Sequence, residues 1–332
     1  MLHENLLYFK HESTVLVGNP LADPIERVLP VYVPPGYQDD AERRYPVIWV
    51  LAPFTSWGER YFNLKAWDEN LVQRADRLIR DGDMAPVILA FPDAFTRLGG
   101  SQYLNSSATG RYEDYVVEEL IPFLDDSLRT VPERRGVIGY SSGGYGALML
   151  SMKHTGLFKA VVSHSGDMGF EHSYPIDFPA AQRYLEKVGG LAKFLEVFPE
   201  PHRRSGDWFK ALHVVAMSAC YSPNPDEPCG IELPFYRYTG KRKTSVLRRW
   251  NELDPINVVK IHDEALAELD LLYFDCGNRD EYNLWLGARQ FHRLLQRRKI
   301  THTYEEFDGG HHNIYWRYER SLPLIAAALS TE

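Results

Sequence analysis

The 332 residues carry 45 Asp and Glu against 37 Lys and Arg, a formal charge of −8. That argues against a nucleic-acid binder, whose phosphate contacts call for a basic surface. Apolar residues make up 44% and charged residues 25%, the balance of a soluble globular chain long enough to bury a large core without staples.

No apolar stretch reaches the ~20 residues that span a bilayer. The start, Met1-Leu2-His3-Glu4-Asn5, lacks the basic-then-apolar order of a secretory signal, so a cytoplasmic protein away from the membrane is expected. Cys220, Cys229 and Cys276 show no zinc-ligand spacing. Free thiols in a reducing compartment are the favoured reading, and a Cys220–Cys229 pair the alternative.

In chain order, short β-branched runs alternate with longer helical patterns. Strands are predicted at Val28–Val33, Pro46–Leu51, Val87–Phe91, Gly136–Tyr140, Lys159–His164, Leu271–Asp275 and Thr301–Glu306. Several are almost wholly apolar, which suits strands buried on both faces. Helices are predicted near Leu71–Arg80, Tyr112–Leu128, Gly144–Lys153, Asn283–Arg298 and Trp316–Ala328. In Asn283–Arg298, Leu284, Ala288, Phe291 and Leu295 share one face, and Arg297-Arg298 sit where cations suit the helix dipole. The alternation implies an α/β fold, a mostly parallel sheet with helices on both sides. The turn Pro34-Pro35-Gly36 suggests an antiparallel start to it.

Residues 168–262 break the alternation. They are rich in Pro, Tyr, Trp and Phe, with helical pieces near Ala180–Val188 and Trp208–Ser218. We read residues 1–167 and 263–332 as the core and 168–262 as an inserted, largely helical cap. Within it the basic run Lys241-Arg242-Lys243 and Arg248-Arg249 reads as a solvated face, with an anionic-substrate rim the alternative.

The apolar run ending at Tyr140 leads into Gly139-Tyr140-Ser141-Ser142-Gly143, a G-x-S-x-G pattern followed by a helix. A strand that turns sharply into a helix exposes a serine hydroxyl at its tip, and the flanking glycines avoid collision in the turn. The pattern alone is weak, and a glycine-rich turn with a solvated serine is the plain alternative. A serine hydroxyl needs a base to take its proton and an acid to orient that base. In strand–elbow–helix hydrolases these follow in the order Ser, Asp or Glu, His. Asp280, just past Leu271–Asp275, is the favoured acid; Asp275, Glu281 and Asp167 follow in that order. A helix cap is the structural alternative for Asp280. His311, after Gly309-Gly310 on the loop following the last strand, is the favoured base, with His312 second. His164 reads as a core or cap contact. The oxyanion donors expected are the backbone N–H groups of Ser142 and Phe54, with Thr55 next, because Pro53 has none.

With these residues in place, the chain resembles the esterase D-like branch of the α/β-hydrolase fold. That group includes S-formylglutathione hydrolases, feruloyl and acetyl xylan esterases, enterochelin esterases and mycolyltransferases. The matching stretches are Val31–Tyr37, Arg44–Ile48, Glu119-Leu120-Ile121-Pro122, Gly139–Ala147, Asp275-Cys276-Gly277 through Asp280, and Gly309-Gly310-His311. The resemblance implies Ser141 as nucleophile, Asp280 as acid and His311 as base. It departs at Ala52-Pro53, where the family usually has His-Gly or Asp-Gly, and at Ser142, where it often has Met. A serine hydrolase of small-molecule carboxylic esters, needing no cofactor or metal, is therefore expected. Acyl transfer or thioester hydrolysis by the same triad is the alternative, and a non-catalytic binding protein the remote one. Trp208, Phe235, Tyr236 and Trp250 are candidates to line an acyl or aryl pocket, with core packing the commoner fate of such residues. A homo-oligomer is compatible with the sequence.

Overall fold

A computed structural model describes residues 5–198 and 206–330. Eight strands form one sheet: β1 (Leu6–Glu12), β2 (Glu26–Tyr32), β3 (Tyr45–Leu51), β4 (Ile88–Ala90), β7 (Thr130–Tyr140), β8 (Ala160–His164), β9 (Leu271–Gly277) and β10 (Thr303–Phe307). A small separate hairpin supplies β5 (Asn105–Ser106) and β6 (Gly110–Arg111). The sheet order is β1-β2-β4-β3-β7-β8-β9-β10. β2 pairs antiparallel with β1 and β4, and every other pairing is parallel. This is the α/β arrangement expected, with the antiparallel start at one edge.

The side-chain alternation of a strand sorts the core into two layers. On β3, Val47, Trp49 and Leu51 face a layer built with the helix Ser142–Lys153 and with Tyr112, Val116 and Leu124. Ile48 and Val50 face the opposite layer, covered by the helices Leu71–Asp81 and Tyr318–Leu329. Both faces are dry, which explains why β3 and β8 read as near-continuous apolar runs.

Three differences from expectation have local causes. The strand β1 was not predicted: as the edge partner of β2 it keeps Lys10 and Glu12 exposed, and its apolar signal is diluted. The helix expected over 112–128 is broken by a wider turn at Tyr115–Leu120, where the Ile121 N–H reaches back to the Val116 carbonyl. Pro122 follows and has no N–H to give, so the regular ladder cannot pass through it. Between β8 and β9, further helices, among them Leu191–Val197 and Thr244–Glu252, accompany Phe178–Val188 and Gly206–Tyr221. Among the described residues this segment contains isolated bridges but no strand of the sheet. Its apolar residues, including Phe178, Val215 and Trp250, join the same core layer as β3 and the elbow helix. In the basic run, Lys243 and Arg249 both hold Glu232. No helix among the described residues is long and apolar enough to cross a membrane.

Candidate active site

β7 ends at Tyr140, and Ser141 makes the turn into the helix Ser142–Lys153. Its backbone sits at φ +57° and ψ −124°, a conformation that an L-residue adopts only under constraint, at a cost of order 1–3 kcal/mol. Two backbone bonds hold it: Ser141 N–H donates to the His164 carbonyl, and its own carbonyl accepts from Tyr145 N–H, each at 2.9 Å. Gly139 and Gly143 make the turn possible. A methyl group on Gly139 would collide with the Gly143 carbonyl, and one on Gly143 with the Leu51 carbonyl.

Two neighbouring strands bring the other groups. The loops after β9 and β10 run side by side, with Asn278 N–H donating to the Phe307 carbonyl and Arg279 N–H to the Gly309 carbonyl, both at 2.9 Å. The first carries Asp280 and the second His311, each buried. Asp280 Oδ2 lies 2.7 Å from His311 Nδ1, and His311 Nε2 lies 3.0 Å from Ser141 Oγ. An ionised carboxylate only accepts, so Nδ1 carries the proton in that pair and Nε2 offers its lone pair to the serine hydroxyl. Asp280 Oδ1 also accepts from Tyr282 N–H at 2.9 Å, so the residue orients the ring and caps its loop together.

The alternatives fall elsewhere. Glu281 Oε2 accepts from the His311 backbone N–H at 2.6 Å, and that bond lowers its carboxyl below the usual range. On the other side, Tyr140 OH donates to the His311 carbonyl at 2.7 Å. His312 lines the cavity but makes no bond to Ser141. Asp275 is turned into the core, where its Oδ1 meets His164 Nδ1 at 2.8 Å and its Oδ2 accepts from Arg317 Nε at 2.7 Å. His164 Nε2 lies 2.8 Å from Ser321 Oγ, so a second Ser-His-Asp string exists, but all three of its members are buried away from any cavity described here.

At the elbow, the N–H of Ser142 opens a helix, where unpaired donors and the helix dipole favour negative charge. Across the cavity, Thr55 N–H donates to the Gly99 carbonyl at 2.7 Å. Phe54 N–H and Ser142 N–H have no partner among the described residues. Nearby carbonyls are already occupied: Tyr61 OH donates to Leu51 at 3.0 Å and Tyr103 OH to Ala52 at 2.9 Å.

These groups open into a cavity of about 130 Å³ walled by Phe54, Tyr174, Phe209, His213 and Tyr282. A wider groove of about 730 Å³ meets it at Thr55, Arg60, Tyr140 and His312. None of the four aromatic candidates lines the cavity, and Trp250 and Phe235 pack in the core, the favoured fate. Trp250 is a core residue whose Nε1 donates to Ser222 Oγ at 2.8 Å, and Phe235 packs on Phe178. Tyr236 is exposed, and Trp208 Nε1 donates to the Phe198 carbonyl at 3.1 Å. All three cysteines are free, and Cys276 Sγ lies 3.8 Å from Asp280 Oδ2. Among the described residues, no cluster of His, Cys, Asp and Glu is arranged to hold a metal ion.

Sequence reasoning missed the cluster around Asp167. This carboxylate does not touch His311; its Oδ2 accepts from Gln102 Nε2 at 3.1 Å, Tyr174 OH at 3.2 Å and Ser142 Oγ at 3.3 Å. Gln102 and Ser142 come from other segments of the chain, so no local spacing announces the cluster.

A family model described as "Putative esterase" matches residues 25–323. An esterase of Mycobacterium tuberculosis is 26% identical over 231 residues, which cover 68% of this chain and 42% of that protein. The chain thus spans less than half the length of that relative. Among solved structures, a ferulic acid esterase superposes with a TM-score of 0.65 at 18% identity, covering 97% of this chain and 98% of its own. The S-formylglutathione hydrolase of Agrobacterium tumefaciens gives 0.61 at 18% identity, covering 98% and 95%. Those structures share the fold, and the match over residues 25–323 makes this chain a member of the esterase family that the model describes.

Proposed function

We propose that the chain is a serine hydrolase of carboxylic esters, with Ser141 as nucleophile, His311 as general base and Asp280 as the acid that orients it. The observation that carries this reading is the unbroken string from Asp280 through His311 to Ser141, at 2.7 and 3.0 Å, beside two backbone donors with no partner among the described residues. Ser141 Oγ attacks the acyl carbon while His311 Nε2 takes its proton. The oxyanion that forms lies against the N–H groups of Ser142 and Phe54; one such donor is commonly worth about 3–4 kcal/mol. His311 returns the proton to the leaving oxygen or sulfur, and Asp280 stabilises the imidazolium throughout. Water, deprotonated by His311, then releases the acid. The segment 168–262 acts as the cap, contributing Tyr174, Phe209 and His213 to the cavity wall.

The test is release of p-nitrophenol from p-nitrophenyl acetate by the wild type and by Ser141→Ala, with an acyl thioester run beside it. Turnover that disappears in Ser141→Ala is the expected result, and the ester-to-thioester ratio then ranks the leaving groups. Turnover retained in that variant would defeat the reading.

A further inference from the structure

The cavity beside Ser141 is lined by aromatic rings and by polar groups in similar measure. There, Asp167 receives all three of its hydrogen bonds on Oδ2, and its Oδ1 has no partner among the described residues. Burial raises this carboxyl above the usual range, while His213, His311 and the bonds from Gln102 and Tyr174 favour its charged form. Next to it, His213 Nδ1 lies 2.9 Å from Asp177 Oδ2. Asp177 accepts the Nδ1 proton, and Nε2 has no partner among the described residues. Ser173, on the same wall, has a buried hydroxyl with no hydrogen bond. Buried polar groups are ordinarily satisfied, and an unbonded Ser173 hydroxyl beside the open Oδ1 of Asp167 marks a place where a ligand completes them.

The size of the cavity limits what that ligand is. A cavity of ~150 Å³ admits a guest as large as benzene, so about 130 Å³ suits a chain of a few heavy atoms. The acyl group stays bonded to Ser141 while the leaving group departs and water enters. The narrower cavity therefore suits the acyl part, and the wider groove that it meets at Arg60 and His312 suits the leaving group.

Resting on the serine-esterase reading, we propose that this cavity selects short acyl groups bearing a hydrogen-bond donor, hydroxyacyl or aminoacyl chains, whose donor is received by Asp167 Oδ1, with His213 beside it on the cavity wall. An unsubstituted acyl chain fills the cavity without offering Asp167 Oδ1 a hydrogen bond, and sites built to bond a polar group discriminate strongly against analogues that lack it.

The experiment compares kcat/KM for the phenyl esters of propionate, lactate, 2-methoxypropionate and alaninate. The methoxy ester matches the electron withdrawal of lactate without its donor. The wild type is expected to favour lactate over 2-methoxypropionate at least tenfold. In Asp167→Asn and His213→Leu that ratio is expected to fall at least fivefold. Alaninate, whose ammonium activates the ester, is judged only by its change between wild type and variants, and it identifies which donor is preferred. His213→Leu carries the test if Asp167→Asn does not fold. No preference for the donor-bearing esters, or a ratio unchanged in a folded variant, overturns the inference. Phenyl propionate turnover that depends on Ser141 keeps the esterase reading standing in that event, so the two failures are distinguishable.

Discussion

At the scale of single residues, two aspartates five positions apart have opposite surroundings, and the difference is measurable. Asp280 touches His311 and two backbone donors, whereas Asp275 sits between His164 and Arg317 in the core. Asp280→Asn is expected to lower kcat by about 10³–10⁴-fold, because an amide favours the wrong ring tautomer, with the fold preserved. Asp275→Asn is expected instead to destabilise the protein by about 3 kcal/mol, because it strips a carboxylate from a buried guanidinium. Urea unfolding and p-nitrophenyl acetate kinetics on both variants separate the two roles. A full loss of turnover in a stable Asp275→Asn, with Asp280→Asn active, would reverse the assignment.

At the scale of elements, the elbow is a place where strand, turn and helix touch through backbone atoms. Gly139 and Gly143 each lie against a carbonyl that cannot swing aside. Gly143→Ala is expected to lose soluble folded protein or most of its thermal stability, as read by circular dichroism, whereas Gly156→Ala, at a surface turn with open space around it, costs only the strain of its positive φ. The same contrast explains what was legible. The elbow announces itself because glycine, serine and the apolar strand are adjacent in sequence. Asp280 and His311 were reachable because each follows a strand in the chain order that such hydrolases share. The strand β1 escaped because an edge strand keeps polar residues. The Asp167 cluster escaped because Gln102, Tyr174 and Tyr221 meet it only in three dimensions.

At the scale of the molecule, the last strand and last helix are clamped by charge. Burial alone would raise Glu305, but hydrogen bonds from Arg320, Arg317 and Tyr273 outweigh it and hold the carboxyl at about 2. A folded-state value below the unfolded one of 4.5 means that this contribution is fully present above about pH 4.5 and is lost as pH falls toward 2. The Tm difference between the wild type and Glu305→Gln is therefore expected to be largest near pH 6 and to shrink by pH 3; a difference independent of pH would contradict the clamp. The clamp joins β10 to the helix Tyr318–Leu329, close to the loop that presents His311, so fold stability and the candidate site share one end of the sheet. The central claim is that Ser141 is the activated nucleophile. Its most direct test is intact-mass analysis after treatment with a fluorophosphonate probe. One covalent adduct on the wild type, none on Ser141→Ala and a strongly slowed reaction in His311→Ala is the predicted result. An adduct of equal yield on Ser141→Ala, or none on the wild type, would contradict it.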